Sequence, residues 1–356
     1  RPKNQQGQEE KYRPGTAPVP GGKGQMPEIH NGNPPLMTII ITTGGGYRSI
    51  RTTIEHLKKQ TVCGRLEIMI LAPPVKWPDD IGEKLGCFHS YTVLEIDLEE
   101  GLYDAWAEAV RKANAPVVAF GENHAFPEPA WAEAIIEAHK GPWDAVGCVF
   151  KNANPGTVNS WAQLYMTYGQ YTEPVSPGEA GDLHGHNGSY KRDALLSYGD
   201  RLGTMLIRAN ILHMDLRSKG RRLYVEERAA LSHVNISRTI SILEDLFYNG
   251  WLYTAALADY KKLSRLGRLK GIIMEPPIIA KHFLGTLGAM RRAGKSKELL
   301  PSALPIVTAG LAAHMFGKVW GYAAGRGNAQ KHINSFEFDR YRYITENDIE
   351  QIEKLA

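Results

Sequence analysis

The sequence predicts an α/β protein: a mainly parallel sheet covered by helices, followed by a helical C-terminal extension. Three observations carry this. Short β-branched runs recur between residues 37 and 120, helical segments alternate with them, and beyond about residue 235 the pattern is helical throughout. Continuous apolar strands alternating with helices mark parallel strands buried on both faces.

Residues 1–36 are rich in Pro, Gly, Gln and charge, too polar to offset their own ordering entropy, and read as an N-terminal arm. MTIIITT (37–43) is a buried strand, GGGYR a turn, and SIRTTIEHLKKQT (49–61) a helix with Ile50, Ile54 and Leu57 on one face. LEIMIL (66–71) is a second strand, closed by Pro73-Pro74, and TVLEID (92–97) a third. A helix over 102–113 leads to a fourth strand, PVVAF (116–120). Ligands in such sheets bind beyond the carboxyl ends of the strands. That directs attention to Thr42–Tyr47 after the first strand, with Thr42, Thr43 and Gly44 at its start, to Leu71–Pro74 after the second and to Gly121–Phe126 after the fourth.

Composition narrows the function classes. The chain has 356 residues, 42 Lys and Arg against 38 Asp and Glu, and a net charge of +4. That balance argues against nucleic acid, which calls for a strongly basic face. Cys63, Cys87 and Cys148 are far apart and odd in number, which favours a reducing compartment, and the first residues lack the apolar stretch of a signal peptide. The expected location is cytoplasmic.

The sharpest local feature is FGENHAFPEPAW (120–131). Glu122 and His124 stand at i and i+2 after a buried strand, where an extended backbone points both to one side. A carboxylate and an imidazole there suit Mn²⁺ or Mg²⁺, with substrate phosphate and water filling the remaining positions. Two exposed polar residues at a strand end fit the same spacing. Trp161, Tyr165 and Tyr168 fall on one helical face, which fits a core stripe or a sugar-stacking surface.

The order of strand, GGGYR turn, helix, QT, second strand and VVAFGENHAFPEPAW resembles glycosyltransferase family 2. The resemblance spans 37–235 and implies the A-type, nucleotide-sugar-binding fold. In that family an Asp-x-Asp-type motif holds the metal and the donor diphosphate. Glu122-Asn123-His124 takes its place here, and a related branch uses an Asp-x-His version. DLHGHNGSYKRDALLSYG (182–199) follows the family's Gly-x-Asn-x-x-x-(Arg/Lys)-Arg outline. The resemblance gives Asn187, Lys191 and Arg192 to the donor, together with Thr42, Thr43 and Gly44. His233 aligns with a histidine that supplies a third metal ligand in some branches. Inverting members also carry an acidic pair about a dozen residues before a Lys-Gly. Here Arg208 and Ala209 stand at that place, so the base is expected from Asp182, Glu179, Asp200 or His213, with Asp182, beside the GHN segment, the first choice and His186 a further catalytic group.

After residue 235 the chain turns basic and apolar. KKLSRLGRLK (261–270) is dense in positive charge, and 304–325 is apolar but carries His314, Lys318 and four glycines. Contact with a membrane surface and packing as a helical lobe, on this chain or a second copy, both fit. The whole reads as three regions: an arm (1–36), an α/β domain (37–235) and a helical region (236–356). Its expected activity is metal-dependent sugar transfer, inverting by the resemblance, from a nucleotide sugar to a glycan, lipid or other hydroxyl acceptor. The alternative is a catalytically inactive binding or scaffold protein of the same fold.

Overall fold

A computed structural model describes residues 33–98 and 101–354. Most of the predicted N-terminal arm, residues 1–32, lies outside the described residues. The chain begins with β1 (Met37–Thr42), α1 (Tyr47–Lys58), β2 (Leu66–Ala72), α2 (Ile81–Leu85), β3 (Ser90–Glu95) and α3 (Leu102–Lys112). It continues with β4 (Val117–Glu122), β5 (Ala125–Pro127), α4 (Trp131–His139), β6 (Ala145–Asn152), α5 (Val158–Tyr168), β7 (Gly178–Ala180) and β8 (Ser189–Lys191). Then come α6 (Arg192–Leu196), α7 (Leu202–Leu206), α8 (Ala209–Ser218) and β9 (Leu223–His233). The rest is helical: α9 (Thr239–Tyr260), α10 (Arg265–Arg292), α11 (Ser296–Ala324), α12 (Ala329–Phe338) and α13 (Glu346–Glu353).

The sheet order is β3-β2-β1-β4-β8-β6-β9-β5, with β7 also pairing β9. From β3 to β4 the pairing is parallel, as the alternation of strands and helices predicts. Beyond β4 the sheet is mixed. β8 runs antiparallel between β4 and β6, while β6 and β9 pair in parallel. The expectation of a mainly parallel sheet therefore holds for its first half. β7 and β8 are three residues each, too short to show a strand period in sequence.

Burial explains the order of the first half. Every residue of β1 and β2 is buried, and Ile50, Ile54 and Leu57 of α1 pack against them. Each such side chain contributes roughly 1.5–3 kcal/mol on leaving water. Cys63 and Cys87 meet across the edge of this layer as free thiols, with sulfurs 2.9 Å apart, although they are distant in sequence.

In the helical region α11 lies along α9 and forms a hairpin with α10. Gly317 and Gly321 make the approach to α9 possible. A Cβ at Gly317 would sit 1.9 Å from the Phe247 carbonyl oxygen, and one at Gly321 would sit 2.2 Å from that of Trp251. Gly310, Gly317 and Gly321 of the 304–325 run are thus packing positions, and Gly325 ends the helix at a φ of 74°. Among the described residues α11 is the one helix long and apolar enough to cross a membrane, and a third of its apolar stretch is buried by its neighbours.

Candidate active site and metal centre

The C-terminal end of β4 sets the site. β4 runs on through Glu122, two residues further than the sequence pattern suggests, and Thr42 pairs with Glu122 in register. A turn at Asn123-His124 then leads into β5, and Ala125 pairs with His233 at the end of β9. This turn and the β5–β9 ladder bring the two histidines together; simple i, i+2 alternation does not. Glu122 Oε1 is 3.6 Å from His124 Nε2, and Glu122 Oε2 is 3.4 Å from His233 Nε2. All three offer ligand atoms within 4.8 Å of one another.

The surrounding groups orient these rings. His124 Nδ1 lies 2.7 Å from Asn123 Oδ1, and His233 Nδ1 lies 3.1 Å from Asn235 Oδ1. An amide oxygen accepts the Nδ1 proton in each case and leaves Nε2 with its lone pair facing Glu122. His233 Nε2 also meets the Tyr168 hydroxyl at 3.0 Å. His124 Nε2 is buried without a hydrogen-bond partner. Burial, reinforced by the Arg340 charge, holds the His124 pKa well below the usual histidine range. The ring is therefore neutral, the form a metal requires. A buried carboxylate, two oriented imidazoles and an orphaned nitrogen together fit a divalent cation.

His186 closes the other side. Its Nδ1 is hydrogen-bonded to Glu122 Oε1 and lies 3.4 Å from Glu337 Oε2. Burial opposes its charge, but Glu122 and Glu337 outweigh burial and push its pKa up to about 9. The imidazolium is the counter-ion of two carboxylates. Burial likewise works against the charge on Glu122, yet the charge and hydrogen bond of His186 hold that carboxyl well below its ordinary range. Asn187 Nδ2 donates to Glu122 Oε2 at 2.6 Å from a backbone φ of 55°, a strained region for a non-glycine residue. Gly185 is required for the approach of the neighbouring loop, because a Cβ there would fall 2.2 Å from Ala209 Cβ.

Glu122, Asn123, Gly185, His186 and His233 line a cavity of about 360 Å³, within the usual range for small-ligand sites, and His124 and Asn187 are buried behind that wall. Trp106 and Tyr168 supply aromatic wall. The helical region supplies Asp245, Glu337 and Arg340, and the start of α8 supplies Arg208. Asp245 accepts from Gln163 Nε2 and from Asn249 Nδ2, each at 2.9 Å. Burial raises its carboxyl to about 6 against the opposing pull of Arg340. Arg208 donates to Asn249 Oδ1 at 3.1 Å.

The structure brings some of the sequence-predicted residues together and leaves others apart. Thr42 lines the cavity and accepts from Trp106 Nε1 at 2.8 Å. Thr43 is buried against Ser49, and Gly44 sits beside Phe338; neither is among the cavity-lining residues. Lys191 and Arg192 are not brought to the site. Antiparallel pairing sets Lys191 opposite Val117, at the end of β4 remote from Glu122. Lys191 donates to the Gly141 carbonyl, and Arg192 to those of Val110 and Arg111.

Asp182 is likewise outside the cavity lining. It is 2.7 Å from His213 Nδ1, accepts from Asn210 Nδ2 at 2.6 Å, and is 40% exposed. The alternative acids, Glu179 and Asp200, are exposed, and His213 is buried between Asp182 and Tyr190. Sequence reasoning missed Asp245, Glu337, Arg340 and the cavity position of Arg208. One signal was available: Asp245 and Asn249 fall on the buried stripe of α9 beside Ile242 and Leu246, where polar side chains call for a reason.

No curated protein matches the chain. Among solved structures, the mannosyltransferase PcManGT from Pyrobaculum calidifontis, in complex with GDP-Man and Mn²⁺, is 13% identical with a TM-score of 0.41, over 91% of this chain and 85% of that one. S. aureus TarS, residues 1–349, is 13% identical with a TM-score of 0.40, over 80% and 90%. A mycobacterial protein is 14% identical with a TM-score of 0.41, over 65% and 76%. The profile of glycosyl transferase family 2 matches residues 38–199. The segment that holds Glu122, His124 and the Gly-His-Asn turn is a glycosyl transferase family 2 region.

Proposed function

We propose that this chain transfers a sugar from a nucleotide-activated donor to a hydroxyl acceptor, a glycan or a lipid-linked sugar, with a divalent cation at Glu122, His124 and His233. The convergence of those three side chains beneath the cavity carries the reading. The mixed nitrogen and oxygen donor set suits Mn²⁺ better than Mg²⁺, which prefers oxygen alone. When bound, the cation neutralises charge on the departing diphosphate. Arg208 adds positive charge on the same cavity wall. Trp106 and Tyr168 offer flat surfaces to a sugar or base. On this reading residues 37–235 bind the donor, and 236–356 complete the cavity.

An inverting transfer needs a base on the acceptor hydroxyl. Asp245 is the cavity carboxylate left for that role once Glu122 and Glu337 face the metal centre. Its presence answers the missing acidic pair, the feature that favours a catalytically silent scaffold. Isothermal titration with Mn²⁺ and a panel of nucleoside diphosphates tests the reading. Mn²⁺-dependent binding that Glu122→Ala abolishes supports it, and binding indifferent to both Mn²⁺ and Glu122 contradicts it.

A second part of the reading concerns α10. Leu266, Leu269, Ile273 and Leu284 are exposed, Ile273 by 65% and Leu284 by 67%. They fall on one helical face, opposite the Glu275 and Thr286 face that is buried. Arg265, Lys270 and Lys281 accompany the stripe, and the single acid of α10, Glu275, is buried. Like charges oppose pairing of this stripe with its own copy and suit an anionic lipid surface. The chain would then work at the inner face of a membrane, where its free thiols stay reduced.

A further inference from the structure

Resting on that metal-dependent reading, we infer that Glu337 of α12 is the fourth protein ligand of the cation, so that the helical C-terminal region completes a centre begun in the sheet. Two buried atoms without hydrogen-bond partners, His124 Nε2 and Glu337 Oε2, face each other at 3.9 Å. Leaving either unpaired costs stability, which persists where an ion is the missing partner. Glu337 belongs to a second cluster of ligand atoms, with Glu122 and His186, and Glu122 is common to both clusters. The two clusters are therefore two sides of one centre.

The orientation of Glu337 follows the pattern of the other ligands. Arg340 Nη2 donates to Glu337 Oε1 at 3.2 Å and leaves Oε2 toward the histidines, as Asn123 and Asn235 hold the Nδ1 sides of their rings. Asn123 Nδ2 also donates to the Phe338 carbonyl at 3.2 Å, which ties α12 directly to the Glu122-Asn123-His124 turn. Glu122, Glu337, His124 and His233 make a set of two carboxylates and two imidazoles. Glu337 lies outside residues 38–199, so the family match does not include it.

The test is Mn²⁺ affinity of the full chain, measured by titration calorimetry without any donor, for wild type, Glu122→Gln and Glu337→Gln. Glu337→Gln keeps the size of the side chain and an oxygen for Arg340. The inference expects Glu337→Gln to weaken Mn²⁺ by roughly tenfold or more at unchanged melting temperature. It also expects a Mn²⁺-soaked crystal to show the ion within coordination distance of Glu337 Oε2. If Glu122→Gln weakens Mn²⁺ and Glu337→Gln does not, the inference falls and the metal reading stands. If neither substitution changes the affinity, both fall. Should Glu337→Gln fail to fold, Glu337→Asp, which keeps the charge and shortens the reach, is read in the same way.

Discussion

A carboxylate that takes a proton from a sugar hydroxyl must reach the cavity and be ionised at the working pH. Asp245 lines the cavity, whereas Asp182 is held outside it by His213 and Asn210. Asp245→Asn should therefore lower turnover by about 10²–10⁴-fold with donor binding retained. Asp182→Asn should stay close to wild type, and the reverse result returns the role to Asp182. The pH profile gives a second check. With its carboxyl raised to about 6, Asp245 is ionised above that pH and protonated below it, so kcat/KM should fall as pH drops through about 6. Legibility in the sequence was uneven at this scale. Glu122, His124 and His233 stand at ends of long apolar strands, and strand ends are where a sheet presents ligands. Lys191 and Arg192 were given to the donor by a motif, but the motif carries no register, and register set them at the opposite end of β4. Glu337 and Arg340 sit in a charged, aromatic stretch that reads as an ordinary solvated helix.

Elements whose pattern extends over several residues were readable: β1, β2, α1 and α3 match their predicted positions closely, and the chain beyond residue 235 is helical as its pattern predicts. Short strands and crossings were not, since β7 and β8 acquire their character only from β4, β6 and β9. Within the helical region, Lys318 Nζ and Glu275 Oε2 form an ion pair at 2.5 Å, with both side chains buried between α10 and α11. Removing one partner strands the other charge, and such losses cost about 3–5 kcal/mol. Lys318→Ala should accordingly lower the urea midpoint, and Lys318→Ala with Glu275→Ala should recover part of the loss. Equal destabilisation by the single and double variants would show that the pair is not the unit.

At the scale of the molecule, the α10 stripe predicts binding to vesicles containing anionic lipid, at about 1 kcal/mol per basic residue near the surface, and weakening with salt. Leu266→Glu with Ile273→Glu should abolish it without changing the melting temperature. Dimers that dissociate in the same variant, with no vesicle binding by wild type, would assign the stripe to a second copy.

The central claim is that the sheet and the C-terminal helices together build a metal-dependent sugar-transfer site. The most direct measurement is release of nucleoside diphosphate from a panel of nucleotide sugars, with candidate glycan and lipid-linked acceptors, in Mn²⁺ and after chelation. The account predicts release from at least one donor, coupled to sugar transfer, lost on chelation and lost in Glu122→Ala at unchanged stability. Turnover that survives both chelation and Glu122→Ala would contradict the metal centre, and a folded wild type that neither binds nor turns over any donor would contradict catalysis itself.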